Sequence, residues 1–258
     1  MNNSLIYSLL GSLGVIKGLQ LISKVLIAPG MFTHVVNDKL LDKMDNGISY
    51  KFLHNNSNRT IIYCHGNTEH IYDKIKNIEK TDMYKLDPNA NFLFFNYRGY
   101  GNSTGYVSDQ ESIYKDTKYM YEQITKLKQG GEIIVWGFSL GCYPAVRLCT
   151  EYECKHLILH APFKSIPDVL DNQKAIQNLS KVFSEKYDVG ALIDQIKCPV
   201  DILHSRTDKV VPYINSLELA KKCNIKGINY RLHEISGSHE DNLKDTMIII
   251  LKDRLDGK

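Results

Sequence analysis

Glu132-Ile133-Ile134-Val135-Trp136-Gly137-Phe138-Ser139-Leu140-Gly141 joins an apolar run to a serine flanked by glycines two residues away on each side. Residues 132–136 predict a short buried strand, closed off upstream by Gly130 and Gly131. Residues 140–150 have helical spacing. Their only breaker, Pro144, lies near the first turn, where a missing amide costs little. Strand, tight turn and helix therefore follow one another with Ser139 at the apex. Such an elbow holds its apex residue in strained backbone, and strand and helix come so close that the flanking positions must be nearly free of side chain. The hydroxyl then stands clear of the sheet at the positive end of a helix. G-x-S-x-G is a common pattern in itself. Its place at a strand-to-helix junction makes Ser139 a candidate nucleophile; the alternative is an ordinary glycine-rich strand-to-helix turn.

Outward from the elbow, the chain alternates. Residues 48–53, 60–64, 91–97, 156–160, 200–204 and 229–235 read as further strands, several of them continuous apolar runs suited to the middle of a parallel sheet. Residues 68–80, 108–128, 215–223 and 241–255 read as helices. The best defined is 108–128, with Ser108 as N-cap and Glu111 three residues later. Residues 161–199 are weakly patterned and hold at most a few short helices. The alternation predicts an α/β fold: a mostly parallel sheet with helices on both faces. Internal repeats and low-complexity segments are not evident.

Bulk properties narrow the function. The 258 residues, 43% of them hydrophobic, suit one α/β domain with a sizeable core. A net charge of +3, with both signs scattered, asks for no nucleic-acid partner. Cys64, Cys142, Cys149, Cys154, Cys198 and Cys223 form no C-x-x-C pair and sit largely in apolar runs. They read as buried thiols of a reducing, cytoplasmic compartment, not as disulfides or zinc ligands, and no metal or cofactor is expected. The amino terminus is set apart. Residues 5–27 are strongly apolar, but Lys17, Gln20 and Lys24 fall on one helical face. Three readings stay open: a helix lying on a membrane from the cytosolic face, a helix packed on its own domain, or a span. The first residues lack the charges of a signal peptide, and position two is not the glycine that myristoylation needs. The expected organisation is an amphipathic helix over 1–28 and a catalytic domain over 29–258.

In an open parallel sheet, reactive groups gather beyond the carboxyl ends of the strands. Beyond 200–204 lies Asp208, and beyond 229–235 lies His239. With Ser139 they give the order Ser, Asp, His on three loops at one sheet edge. A serine hydroxyl is a poor nucleophile until an imidazole takes its proton, and a buried carboxylate fixes that imidazole's tautomer. Taken singly, Asp208 reads equally as a turn residue before Pro212, and His239 as a loop histidine. Asp201, Glu240 and Asp241 are alternative acids, but Asp201 starts its strand and so lies at the wrong edge, and Glu240 adjoins His239 and should point elsewhere. Donors for a tetrahedral oxyanion are expected from the backbone N–H groups of Leu140 and Asn67. His65 and His160 read as structural, His65 turning the chain beneath the hole and His160 as hydrogen-bonded support. The glycines at 99, 101 and 105 do not form a phosphate-binding loop.

His65-Gly66-Asn67, Asn96-Tyr97-Arg98-Gly99-Tyr100-Gly101-Asn102-Ser103, Gly137-Phe138-Ser139-Leu140-Gly141, Leu159-His160-Ala161-Pro162-Phe163, Cys198-Pro199-Val200 and Asp208-Lys209-Val210-Val211-Pro212 together resemble the α/β-hydrolase superfamily. More narrowly they resemble its compact branch of protein depalmitoylases and related membrane-associated serine hydrolases, over roughly residues 45–256. The resemblance implies Ser139 as nucleophile, Asp208 as acid and His239 as base, with a short lid within 161–199. Two departures stand out. His204-Ser205 replaces the His-Gly often found ahead of the acid loop, and the amino-terminal cysteine cluster of the palmitoylated members is missing. The function expected is hydrolysis of an ester or thioester, on a small-molecule, acyl-lipid or acyl-protein substrate. The alternatives are a prolyl-peptidase-type serine peptidase and a non-catalytic binding protein of the same fold.

Overall fold

A computed structural model describes residues 42–44, 46–67, 69–127, 131–171, 186–241, 243 and 245–257. The amino-terminal helix expected over 1–28, with its membrane-facing stretch 5–27, lies outside the described residues. The strands are β1 (Asp42–Lys43), β2 (Ser49–Leu53), β3 (Arg59–Cys64), β4 (Asn91–Phe95), β5 (Glu132–Phe138), β6 (His156–His160), β7 (Val200–Ser205) and β8 (Tyr230–Ile235). The helices are α1 (Ile71–Lys76), α2 (Asp82–Leu86), α3 (Gln110–Leu127), α4 (Cys142–Glu151), α5 (Ile166–Asp171), α6 (Val189–Leu192), α7 (Ile214–Ile225) and α8 (Asp245–Leu255). The sheet runs β1-β2-β4-β3-β5-β6-β7-β8, antiparallel at β1–β2–β4 and parallel from β4 to β8.

The period-2 alternation of β5 shows how the sheet is buried. Ile133 and Val135 enter a core shared with α3, α4 and α7. Ile134, Trp136 and Phe138 enter a second core, beneath α1, α2 and α8. Among the described residues no helix is long and apolar enough to cross a membrane.

Several elements differ locally from expectation. The helix expected over 68–80 is split: α1 ends at Asn77, a 3₁₀ turn follows at Ile78–Lys80, and Thr81 caps a separate α2 through its side chain. Ser108 does not cap α3. Asp109 does, its Oδ1 accepting Ser112 N–H at 2.8 Å while Ser112 Oγ accepts Asp109 N–H at 3.1 Å. This reciprocal box lies one residue further on than expected, and Glu111 instead binds Arg147 at 2.5 Å. The closing helix starts at Asp245, not 241; Asp241 instead accepts Ser238 N–H within the His239 loop.

A buried charge cluster locks the amino edge of the sheet. Asp201, fully buried, accepts His156 Nε2–H at 2.6 Å and His233 Nε2–H at 2.5 Å, with Arg254 Nε of α8 at 2.9 Å. This is why Asp201 is a structural acid. Burial pushes its carboxyl up, but the two histidine bonds prevail and bring it from 3.8 down to about 2. A depressed carboxyl adds stability that is present above its unfolded pKa and lost as pH falls through the folded value. Over roughly pH 4 to 2 the fold should lose about 2–3 kcal/mol from this group. Asp201→Asn breaks the cluster and is expected to cost about 3–5 kcal/mol in urea denaturation at pH 7. A loss below about 1 kcal/mol, the size of an exposed pair, would rule out the lock.

Candidate active site

The elbow forms as its spacing requires. Ser139 has φ +50°, a left-handed conformation that L-residues seldom adopt. At Gly137 a Cβ would stand 2.7 Å from Cys142 Cα, and at Gly141 it would stand 2.0 Å from the Cys64 carbonyl oxygen. Neither position can take a side chain without moving β3, β5 or α4. A 3₁₀ turn at Ser139–Gly141 leads into α4, where Pro144 occupies the first turn.

The three loops converge. His239 Nε2 lies 3.0 Å from Ser139 Oγ, and His239 Nδ1 lies 2.6 Å from Asp208 Oδ2. Asp208 Oδ1 accepts the N–H groups of Val210 at 2.8 Å and Val211 at 2.9 Å. Burial pushes the Asp208 carboxyl up, but bonds from His204, His239 and Val211 outweigh it and hold the group well below the usual carboxylate range. Asp208 is thus a fixed anion. It accepts at Oδ2, so His239 carries its proton on Nδ1 and turns the bare Nε2 toward Ser139.

Two supports were not legible beforehand. His204 Nε2–H lies 3.2 Å from Asp208 Oδ2 and 2.9 Å from the Val211 carbonyl, while Ser216 O–H donates to His204 Nδ1 at 2.6 Å. The departure Ser205 also has a use. Its hydroxyl donates to the Gly237 carbonyl at 2.5 Å, beside Thr207 Oγ1–H at 2.7 Å. Acid loop and base loop are thereby tied together two residues before His239. The pattern at 204–208 pointed to an unusual loop; only the fold supplies the Ser205 partner 32 residues away.

Among the alternative acids, Asp241 accepts Ser238 N–H and so shapes the base loop, while Glu240 is exposed. His160 supports the site mainly by packing; its carbonyl accepts Cys142 Sγ–H at 3.5 Å. Its ring packs between Trp136 and Phe138, and burial, aided by the charge of Lys74, lowers its pKa to about 3. His65 is structural, as expected. Its Nδ1–H donates to the Gly66 carbonyl at 2.7 Å and its Nε2 accepts Tyr97 N–H. Burial lowers its pKa to about 4 and keeps the ring neutral. The Gly66 backbone passes so close to Ser139 that a Cβ there would stand 3.6 Å from Ser139 Cβ.

Ser139 and His239 open onto a cavity of about 670 Å³. Its walls come mainly from residues 63–83, with Trp136, Phe138 and the loop 239–241. Among the described residues, 161–171 and 186–199 contribute none of them. All six cysteines are buried free thiols. Among the described residues no cluster of His, Cys, Asp or Glu is arranged to hold a metal ion.

The sequence family described as "Serine aminopeptidase, S33" matches residues 55–192, and this span holds the elbow and the segment facing it. The chain belongs to that family, within the α/β-hydrolases. The chain is 27% identical over 173 residues to alpha/beta hydrolase domain-containing protein 17B of Xenopus laevis, covering 60% of this chain and 56% of that protein. It is 30% identical over 147 residues to protein 17C of Homo sapiens, covering 52% and 40%. It thus spans about half the length of the curated relatives it matches. In fold it is similar to the Pyrococcus furiosus esterase Pf2001 (TM-score 0.63, 20% identity, 87% of this chain and 95% of the other). It is also similar to mouse alpha/beta hydrolase domain-containing protein 10 (TM-score 0.60, 20% identity, 84% and 98%).

Proposed function

We propose that the hydrolase cleaves an ester or thioester through an acyl-enzyme, with Ser139 as nucleophile, His239 as general base and Asp208 as its anionic partner. The observation that carries this is the unbroken relay Ser139 Oγ–His239–Asp208, at 3.0 and 2.6 Å. As Ser139 Oγ attacks the carbonyl carbon, its proton passes to His239 Nε2 and the carbonyl electrons move onto oxygen. The N–H groups of Asn67 and Leu140 are assigned to that oxyanion. Its collapse expels the alcohol or thiol, which takes the proton from His239. Water, deprotonated by the same imidazole, then frees the acid and restores Ser139. Met83, Trp136 and Phe138 give the cavity an apolar side suited to an acyl group. Small acyl esters, acyl-lipids and acyl-proteins share that group.

A second reading, peptide hydrolysis, is favoured by the family's description as serine aminopeptidases. A panel of p-nitrophenyl esters, acyl-thioesters and aminoacyl amides separates the two. Higher kcat/KM on esters and thioesters supports the proposal, and preference for the amides contradicts it.

The six buried thiols support a reducing, cytoplasmic setting, and the apolar stretch 5–27 supports contact with a membrane from the cytosolic side. Removing residues 1–28 should release the protein from liposomes in flotation with activity kept. Equal flotation of both forms would refute this anchor.

A further inference from the structure

We infer that Glu69, on the cavity wall, is a positioning residue of the oxyanion hole, and that Lys74 serves to neutralise it there; this rests on the hydrolase reading above. The ladder between β3 and β5 ends at the pair Cys64 and Gly137, so the backbone beyond Cys64 has no strand to hold it. Side chains hold it instead. Glu69 Oε2 accepts Gly66 N–H at 3.1 Å and Tyr63 O–H at 2.6 Å, while Oε1 pairs with Lys74 Nζ at 2.9 Å. Lys74 also stands over the Tyr63 ring, 5.5 Å from its centre. These three partners, spread over both carboxylate oxygens, set its position.

The consequence lies in the next peptide group. Its carbonyl is that of Gly66, held by His65 Nδ1–H, and its N–H is that of Asn67. In a trans peptide the two point in opposite directions. A carbonyl drawn toward His65 therefore turns the Asn67 N–H the other way. Glu69 fixes the peptide plane before this one and His65 fixes the plane itself, in a segment lying against Ser139. The assignment of Asn67 as a donor thus depends on two side chains that never touch substrate carbonyl oxygen.

A carboxylate so near a developing oxyanion would oppose it if unpaired. Lys74 removes that opposition. Burial raises the Glu69 carboxyl, but the Lys74 charge and the Tyr63 bond bring it below its ordinary value, so Glu69 stays an anion and a strong acceptor.

The test measures kcat per active site, titrated with a fluorophosphonate, on a p-nitrophenyl ester. Removing one oxyanion donor outright costs about 10²–10³. A misaimed donor should cost less, about tenfold in kcat for Glu69→Ala, with KM little changed. Glu69→Gln keeps an acceptor and should recover most of the loss. Lys74→Met leaves an unpaired carboxylate and should also lower kcat per site. Adding Glu69→Gln to Lys74→Met should then raise kcat, a sign reversal that a merely structural role does not produce and that stands even if Glu69→Ala folds poorly. Equal kcat per titrated site in the parent and Glu69→Ala would overturn the assignment, as would a double variant no faster than Lys74→Met. If the parent itself takes no label, it is the hydrolase reading that fails, and the role of Glu69 with it.

Discussion

His239→Ala is expected to lower kcat by about 10⁶-fold, with the melting temperature little changed. Among the described residues, His239 is the base hydrogen-bonded to Ser139 Oγ. Without it the hydroxyl remains a neutral, weak nucleophile, and the leaving group departs unprotonated. The surrounding fold does not depend on the ring. The Asp208 carboxylate keeps three donors, from His204, Val210 and Val211, and the base loop keeps its ties from Ser205 and Thr207 to Gly237. Circular dichroism and thermal melting separate a chemical loss from a folding loss. A variant that retains a hundredth of the parent rate would mean that another base serves Ser139.

Asp208→Asn should lower kcat by about 10⁴-fold, for a reason specific to this site. One carboxylate oxygen faces two backbone N–H groups and the other faces two histidine rings. An amide must turn its NH₂ toward one of these sides. Facing the rings, it meets His204 Nε2–H, whose proton is fixed by the Val211 carbonyl and by Ser216 on Nδ1. It also drives His239 into the tautomer with its proton on Nε2, which cannot receive one from Ser139. Facing the loop, it sets three donors against one another at Val210 and Val211. Both orientations disrupt the relay. A drop of less than tenfold would show that the carboxylate neither orients His239 nor stabilises its cation.

The residues differ in how far they could be read beforehand. Ser139, Asp208 and His239 were legible because each follows a strand at the same sheet edge, and strand ends can be recognised from local pattern. Asp201 could be set aside as catalytic acid on the same ground, and the fold gives it a different use, tying β6, β7, β8 and α8 together. Contacts made across long stretches of chain were not legible. His204 looked like part of a departure from a motif, because its link to Ser216 depends on how α7 packs over β7. Glu69 looked like a polar residue at the start of a moderate helix, and its three partners are visible only once the chain has turned beyond Cys64. The cap of α3 shows the local limit: Ser108 and Asp109 are both good caps, Ser112 Oγ accepts the N–H of each at 3.1 Å, and the competition is settled by Ser112 N–H, which donates to Asp109 Oδ1. The cavity walls were not legible in 68–80, which reads as one helix; the split of this stretch into α1, a 3₁₀ turn and α2 brings Lys74, Thr81 and Met83 to the site.

The most direct measurement is labelling of the whole protein with a fluorophosphonate, followed by intact mass and peptide mapping. The account predicts one phosphonyl group per chain, located on Ser139, and no labelling of Ser139→Ala. Labelling that persists in Ser139→Ala, or a folded parent that takes no label, would contradict it.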